Sequence, residues 1–203
     1  MLSAQGYAIL EPNIRGSTGF GRAYARADDK VKRWDALRDV EAVNAWARAQ
    51  PWCDRKRLVV AGGSFGGYVT LMALAHQPKL WSAGIDLAGP TDLLAVMTAH
   101  AIAARYVEKL GDPVADKQLL IDLSPIHAVD QVTAPVFIYQ GQNDAHVPRA
   151  PTDRMVRALR ERGTPVEYMV PTDEGHTVSR RANEIELLVR VVRFLSDHLP
   201  PSS

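Results

Sequence analysis

The first candidate for chemistry is Ser64, which stands in a G-x-S-x-G pattern formed by Gly62, Gly63, Ser64, Phe65 and Gly66. A serine in this pattern serves as a nucleophile when the pattern joins a strand to a helix through a sharp turn. The glycines suit that turn because residues without side chains accept strained backbone angles and let the helix approach the strand closely. The pattern predicts a nucleophile at Ser64, with the backbone N–H of Phe65 available to an oxyanion.

A serine hydroxyl reacts poorly near neutral pH and needs a general base, which in turn needs an acid that orients it. In folds that alternate strands and helices, such partners lie on loops at the carboxyl ends of parallel strands. Asp144 follows the apolar run 136–140, and His176 follows the run 166–170. The chain order Ser64, Asp144, His176 therefore predicts a nucleophile, an orienting acid and a general base.

Other side chains could fill two of these roles. His146 is the rival general base, but it lies only two residues from Asp144, too close for that carboxylate to orient its ring from across a cleft. Asp173 and Glu174 could replace Asp144 as the orienting acid, although both lie on the same turn as His176. We therefore prefer the pair formed by Asp144 and His176.

One further carboxylate, Asp86, needs an explanation because it lies within the apolar run 83–87. A carboxylate is costly to bury without a partner, so Asp86 is expected to have a partner or to lie at an exposed sheet edge. The sequence identifies neither. Cys53 is the only cysteine, which excludes an intrachain disulfide and a cysteine-based zinc site. With no other metal-binding or cofactor pattern, we expect no metal and no cofactor.

The elements that must position these residues follow from hydrophobic patterning. Short apolar runs rich in β-branched or aromatic residues predict strands, and they lie at 7–10, 58–61, 83–87, 136–140 and 166–170. Longer patterns of helical period separate most of them. This alternation is typical of βαβ units, so we expect an α/β fold with a mostly parallel sheet of about five strands flanked by helices.

Three of the longer helices have clear limits. One is predicted over about 35–50, a second over 150–162 and a third from about 183 to 199. The stretch 91–132 is helical in tendency but is broken by glycine and proline, which predicts several short helices. The apolar positions of the last helix are taken as Ile185, Leu188, Val189, Val192, Leu195 and Leu199.

Composition excludes several classes of protein. A chain of 203 residues, 46% of them hydrophobic, can build one core without disulfides or metal. The 24 basic and 23 acidic residues leave a net charge of +1, which disfavours nucleic-acid binding. No run approaches the 18 apolar residues of a membrane span, and the first residues do not resemble a signal peptide. We expect a cytoplasmic protein with no membrane or nucleic-acid partner.

These motifs together resemble the prolyl oligopeptidase family of α/β-hydrolases, and within it the acylaminoacyl-peptidase-like branch. The matching segments span almost the whole chain: 12–21, the turn 62–68, 144–148 and 174–176. The resemblance implies a three-layer α/β-hydrolase fold with Ser64 as nucleophile, His176 as general base and Asp144 as its orienting acid. The chain departs from the family at His146, where an arginine is usual.

The resemblance also implies that the chain is a single hydrolase domain, 1–203, that is incomplete at its N-terminus. The run 7–10 resembles the fourth of eight strands, so the first three strands and the family's β-propeller would be missing. The third strand normally lies beside the nucleophile strand, and its absence would expose an edge through which copies of the chain could self-associate. The loop after it normally supplies a second oxyanion donor, whose loss costs about 10²–10³ in rate.

Three functions are compatible with these observations. The leading hypothesis is a serine peptidase that acts on short peptides through an acyl-enzyme, as an oligopeptidase or an acylaminoacyl-peptidase-like enzyme. The second is a carboxylesterase on short acyl esters, because esters tolerate a poor oxyanion hole better than amides do. The third is a catalytically weak or silent fragment that self-associates through its exposed sheet edge.

Overall fold

A four-stranded parallel sheet forms the centre of the computed structural model, which describes residues 2–99 and 104–199. The strands are β1 (Val59–Gly63), β2 (Ala83–Leu87), β3 (Val136–Tyr139) and β4 (Val166–Met169). They lie in chain order, and each pairs in parallel with the next. Because parallel neighbours require crossover connections, a helix-containing segment joins each strand to the following one.

Eight α-helices accompany the strands in the described part of the chain. They are α1 (Arg22–Ala25), α2 (Arg33–Arg48), α3 (Phe65–His76), α4 (Leu93–Ala99), α5 (Val107–Leu110), α6 (Lys117–Asp122), α7 (Arg149–Glu161) and α8 (Arg181–His198). The three long predicted helices are confirmed as α2, α7 and α8 to within two residues at each end. The stretch 91–132 forms short helices, as expected, although its residues 100–103 lie outside the described part.

Two apolar cores cover the two faces of the sheet. Helices α2, α3 and α7 contribute side chains to the core on one face, and α8 does so on the other. Strand β3 is buried along its whole length because its alternate side chains enter both cores. The expected three-layer α/β architecture is therefore confirmed. Among the helices described, none has the length and apolar character needed to cross a membrane.

The predicted first strand is wrong. Residues 7–10 have no regular secondary structure and pair with no strand among the described residues, so the sheet has four strands rather than about five. Tyr7 packs against the core beneath α8, whereas Ile9 and Leu10 are exposed. An apolar run favours a strand only weakly, because strand formation also needs a neighbour whose N–H and C=O groups complete the ladder.

Helix α8 exists as predicted, and Leu195 and Leu199 are buried as expected, but its earlier turns present a different face to the sheet. Its buried side chains are Leu187, Val191, Phe194 and Leu195. Three of the apolar positions named from the sequence are exposed, namely Ile185, Leu188 and Val189. Because apolar residues occur on both faces of this helix, the helical period alone could not decide which face is buried.

The connection from β1 to α3 is tight enough to require a glycine. A Cβ atom added to Gly62 would collide with the backbone carbonyl of Gly66, in the first turn of the helix, whereas one added to Gly66 would meet nothing within 4 Å. Gly62 thus allows α3 to begin directly against the strand that precedes Ser64.

The substitution Gly62→Ala is expected to lower the free energy of unfolding by about 1–3 kcal/mol, because backbone must move to admit the methyl group. Gly66→Ala is the matched control and should stabilise by about 0.5–1 kcal/mol, since alanine favours a helix more than glycine does. Urea unfolding of both variants measures the difference. Equal effects of the two substitutions would contradict the close approach.

Candidate active site

Ser64 occupies a strained turn between β1 and α3. Its backbone angles are φ 54° and ψ −115°, in the left-handed half of conformational space that non-glycine residues rarely adopt. Two backbone hydrogen bonds hold it there: the Ser64 N–H donates to the Leu87 carbonyl at 2.8 Å, and the Ser64 carbonyl accepts from the Tyr68 N–H at 3.0 Å. The strained turn presents the hydroxyl above the carboxyl edge of the sheet, as the sequence pattern predicts.

The structure brings the three predicted side chains together. The His176 Nε2 atom lies 2.8 Å from the Ser64 hydroxyl, and the Nδ1 atom lies 2.8 Å from the Asp144 Oδ2 atom. The Asp144 side chain is fully buried, whereas the His176 side chain is 18% exposed. A carboxylate at Nδ1 favours the tautomer that carries its proton there, which leaves Nε2 free to accept the proton of the serine hydroxyl.

The Asp144 carboxylate is fixed by more than the histidine. Its Oδ1 atom accepts the backbone N–H groups of His146 and Val147 at 2.8 and 2.9 Å, and its Oδ2 atom accepts the Gln140 side-chain amide at 2.8 Å. Gln140 is itself completely buried. The sequence analysis missed this residue, although a glutamine directly between an apolar run and the polar loop of a predicted acid is a recognisable sign of a supporting residue.

The loops that carry Asp144 and His176 are joined backbone to backbone. The Asn143 N–H donates to the Glu174 carbonyl at 2.9 Å, and the Asn143 side chain donates to the Thr172 carbonyl at 2.8 Å. Gly141 touches Gly175 so closely that a side chain at Gly141 would overlap the Gly175 carbonyl. These contacts fix the separation of the acid and the base before any substrate arrives.

Glu174 holds the histidine loop against the start of α8. Its buried carboxylate accepts the Asn183 side chain at 2.9 Å, the Arg180 N–H at 2.8 Å and the hydroxyl and N–H of Ser179 at 2.8 and 3.0 Å. These hydrogen bonds, that from Asn183 foremost, lower the pKa of Glu174 to about 2. The carboxylate therefore remains ionised across the ordinary pH range and keeps the loop tied to the helix.

The residues considered as alternative base or acid, His146, Asp173 and Glu174, lie outside the hydrogen-bonded series of Ser64, His176 and Asp144. The His146 ring lies edge-on to the His176 ring, with 5.1 Å between their centroids. Among the hydrogen bonds of the described residues, none joins the His146 ring to Asp144 or Ser64. Asp173 forms an ion pair with Arg180 at 3.0 Å and accepts a hydrogen bond from Asn183. Asp144, rather than Asp173 or Glu174, is the carboxylate bonded to the His176 ring.

A buried charge cluster lies next to Phe65, the residue after Ser64. The Arg33 guanidinium, 3% exposed, lies 5.0 Å from the Phe65 ring centroid and 3.5 Å from the buried carboxylate of Asp28. Lys109 also forms an ion pair with Asp28. Cation–π contact favours a fixed Phe65 ring, so this cluster supports the first turn of α3. The sequence analysis missed Arg33 because Phe65, the partner that links it to the site, lies 32 residues away in the chain.

The start of α3 offers donors to a developing negative charge. The first N–H groups of a helix, here beginning with Phe65, have no intrahelical acceptor, and the helix dipole makes this end positive. An oxyanion beside Ser64 would thus meet the Phe65 N–H, as the sequence predicts. Among residues 2–99 and 104–199, no group of three or more His, Cys, Asp or Glu side chains is arranged to hold a metal ion.

A serine, histidine and aspartate joined in this way at the carboxyl edge of a parallel sheet, with helices on both faces, define the α/β-hydrolase class. A sequence profile of the prolyl oligopeptidase family matches residues 1–202, and the chain belongs to that family. Acylamino-acid-releasing enzymes are among its relatives, in agreement with the branch named from the motifs.

Two relatives and one solved structure illustrate the similarity. The chain is 34% identical over 210 residues to dipeptidyl peptidase family member 6 of Caenorhabditis elegans, covering 98% of this chain and 28% of the relative. It is 36% identical over 191 residues to dipeptidyl aminopeptidase BIII of Pseudoxanthomonas mexicana, covering 90% and 27%. A Mycobacterium tuberculosis puromycin-hydrolyzing peptidase superposes with a TM-score of 0.86 at 26% identity, covering 94% and 29%. The chain thus spans less than a third of each.

The substitution Glu174→Gln is expected to lower both stability and the rate of any reaction that uses His176. A carboxyl whose pKa is lowered by folding contributes stability that is fully present above its ordinary pKa of 4.5 and is lost as pH falls through about 2. The stability difference between wild type and variant should therefore shrink over that interval, as measured by chemical unfolding at several pH values.

Glu184→Gln is the control for this experiment, because Glu184 lies in the first turn of the same helix but is exposed. Its effect should be small and should vary little over the same interval. A Glu174→Gln difference that stays constant down to about pH 2 would show that the carboxylate is not what holds the loop.

Proposed function

We propose that this chain carries the active site of a serine peptidase that cleaves short peptides through an acyl-enzyme. The observation that carries the proposal is the continuous hydrogen-bonded series from the Ser64 hydroxyl through His176 to Asp144. Membership of the prolyl oligopeptidase family supports it, as do relatives whose names are those of peptidases.

The reaction proceeds in two halves. The Ser64 oxygen attacks the carbonyl carbon while His176 takes the hydroxyl proton, and the resulting oxyanion lies against the Phe65 N–H. The intermediate collapses as His176 passes that proton to the departing amine, which leaves an acyl group on Ser64. Water then attacks the acyl-enzyme while His176 takes its proton, and His176 passes that proton to the Ser64 oxygen as the bond to the acyl group breaks, which releases the acid product and restores the Ser64 hydroxyl. Asp144 keeps the ring oriented and stabilises the imidazolium in both halves.

The nearest alternative is hydrolysis of short acyl esters by the same residues. An ester has a better leaving group than an amide and therefore depends less on a complete set of oxyanion donors. We retain the peptidase as the proposal because the related proteins are peptidases. We also propose a cytoplasmic location, which the single free cysteine, Cys53, supports because disulfides are rare in that compartment.

The substitution Ser64→Ala is expected to abolish labelling by a fluorophosphonate and to reduce hydrolysis of an aminoacyl anilide and an aryl ester by about 10³-fold or more. Ser196→Ala is the control, since Ser196 is exposed on α8, and it should behave as wild type. Hydrolysis of the anilide supports the peptidase, and hydrolysis of the ester alone supports the esterase. Undiminished activity in Ser64→Ala, or no labelling of the wild type, would contradict both.

We propose further that the chain self-associates through the free edge of β1. The Leu58 carbonyl and the Ser64 N–H both bond toward β2, so by alternation the N–H and C=O groups of Ala61 point away from it. Ala61 is exposed, and no described strand pairs with this edge. Such an edge is a template for pairing with a second copy about a two-fold axis.

Light scattering on the purified protein is expected to give a mass above that of a single chain. Ala61→Lys should shift it to the monomer, because two lysines would face each other across the two-fold axis. Val114→Lys, at another exposed apolar position far from β1 in the sequence, is the control and should leave the mass unchanged. A wild type that is monomeric at every concentration would disprove the association.

A further inference from the structure

Asp86 is the one fully buried carboxylate for which the proposed reaction has no use and the ion pairs of the described residues give no partner. It lies in the middle of the sheet, beside Gly62 of β1 on one side and Ile138 of β3 on the other. The sequence led us to expect either a partner for Asp86 or a place at an exposed sheet edge, and the structure provides only one backbone partner. Its Oδ1 atom accepts the backbone N–H of Gly89 at 2.8 Å, and its Oδ2 atom has no hydrogen-bond partner.

Two glycines make room for this carboxyl group. A Cβ atom placed on Gly67, in the first turn of α3, or on Gly89, in the turn after β2, would collide with the Asp86 Oδ1 atom. A Cβ on Gly89 would also strike the backbone of Gly67 and Tyr68. The carboxyl group thus fills the narrow space where the helix that follows the nucleophile meets the turn that follows β2.

That turn is the same one that holds the nucleophile. The Leu87 carbonyl accepts the Ser64 N–H at 2.8 Å, and the next residue, Ala88, has a left-handed φ of 58° while its N–H bonds to the Tyr139 carbonyl at 2.8 Å. Asp86 fixes Gly89, the far end of this strained turn. The Gly89 N–H that donates to Asp86 and the Leu87 carbonyl that accepts the Ser64 N–H therefore lie within three consecutive residues.

The surroundings of Asp86 contain no compensating positive charge in the described part of the chain. Strand β1 contributes Gly62, α3 contributes Gly67 and β3 contributes Ile138. From β4, the titratable group whose charge interacts with Asp86 is Tyr168, whose hydroxyl donates to Asp153 at 2.9 Å. Burial raises the pKa of Asp86 to about 8, against the opposing effect of the Gly89 N–H.

We propose that Asp86 is a positioning residue for Ser64, whose carboxyl group holds the turn 87–89 and, through the Leu87 carbonyl, the strained backbone of the nucleophile. The inference rests on the proposed function of Ser64. It also makes the site sensitive to alkali, because loss of the Asp86 proton puts an unpaired charge into an apolar space and loosens the turn. Asparagine keeps the acceptor for the Gly89 N–H and cannot ionise, whereas leucine fills the space without an acceptor.

The experiment compares the wild type with Asp86→Asn and Asp86→Leu across the alkaline range, using turnover of the better substrate. Wild-type kcat should fall about tenfold for each pH unit above about 8, while KM stays nearly constant. Asp86→Asn should keep kcat within about threefold of wild type near neutral pH and should show no such fall. Asp86→Leu should lose about tenfold or more at every pH, because the turn is no longer held.

Amide hydrogen exchange supplies a readout that does not depend on turnover. In the wild type the N–H groups of Gly89 and Ser64 should lose protection together above about pH 8, after correction for the intrinsic rate, and in Asp86→Asn they should not. The free energy of unfolding should also rise in Asp86→Asn relative to wild type between about pH 3.8 and pH 8. In that interval the unfolded wild type loses a proton that the folded one retains.

Asp122→Asn, at an exposed carboxylate in α6, is the control and should change none of these measurements. An alkaline fall in kcat that persists unchanged in Asp86→Asn would overturn the inference, as would Ser64 protection that is the same in Asp86→Leu as in wild type. A wild type that no fluorophosphonate labels would refute the proposed function instead, and the exchange measurement would still decide whether Asp86 holds Ser64.

Discussion

The strained backbone of Ser64 is the constraint on which the rest of the structure depends. A φ of 54° at a non-glycine residue costs of the order of 1–3 kcal/mol and persists only when the surroundings hold it. Here the β1–β2 pairing holds it from one side, through the Leu87 carbonyl, and α3 holds it from the other, through the Tyr68 N–H. The glycines at 62, 67 and 89 allow strand, helix and turn to approach closely enough to do so.

The acid and the base must also lie at the same edge of the sheet as this strained serine. A parallel sheet satisfies this requirement, because the carboxyl ends of all its strands lie at one edge. Ser64 follows β1, Asp144 follows β3 and His176 follows β4, so all three side chains arise at the same edge of the sheet. The strands place the three side chains only roughly. Hydrogen bonds between the loops of Asp144 and His176, together with the buried carboxylate of Glu174, then fix the positions of the acid and the base.

The buried carboxyl groups around the site differ in the partners that surround them, and therefore in their electrostatic environment. Asp144 accepts four hydrogen bonds, one of them from His176, so its charge is satisfied where the reaction requires it. Asp28 is compensated by Arg33 and Lys109, and that cluster lies against Phe65. Asp86 is fully buried, with a single backbone donor and no cation from the described residues, and this burial raises its pKa to about 8. One fold thus provides carboxyl groups with opposite electrostatic environments.

Local pattern determined much of this protein by itself. The order of Ser64, Asp144 and His176, four of the strands and the three long helices were predictable because each depends on glycines, apolar periods and loop residues near one another in the chain. The tertiary structure alone decided that 7–10 pairs with no described strand, that α8 buries Leu187 and Val191 rather than Leu188 and Val189, and that Arg33 supports the site through Phe65. Those outcomes depend on which distant surface is present to be covered or bonded, and no local spacing contains that information.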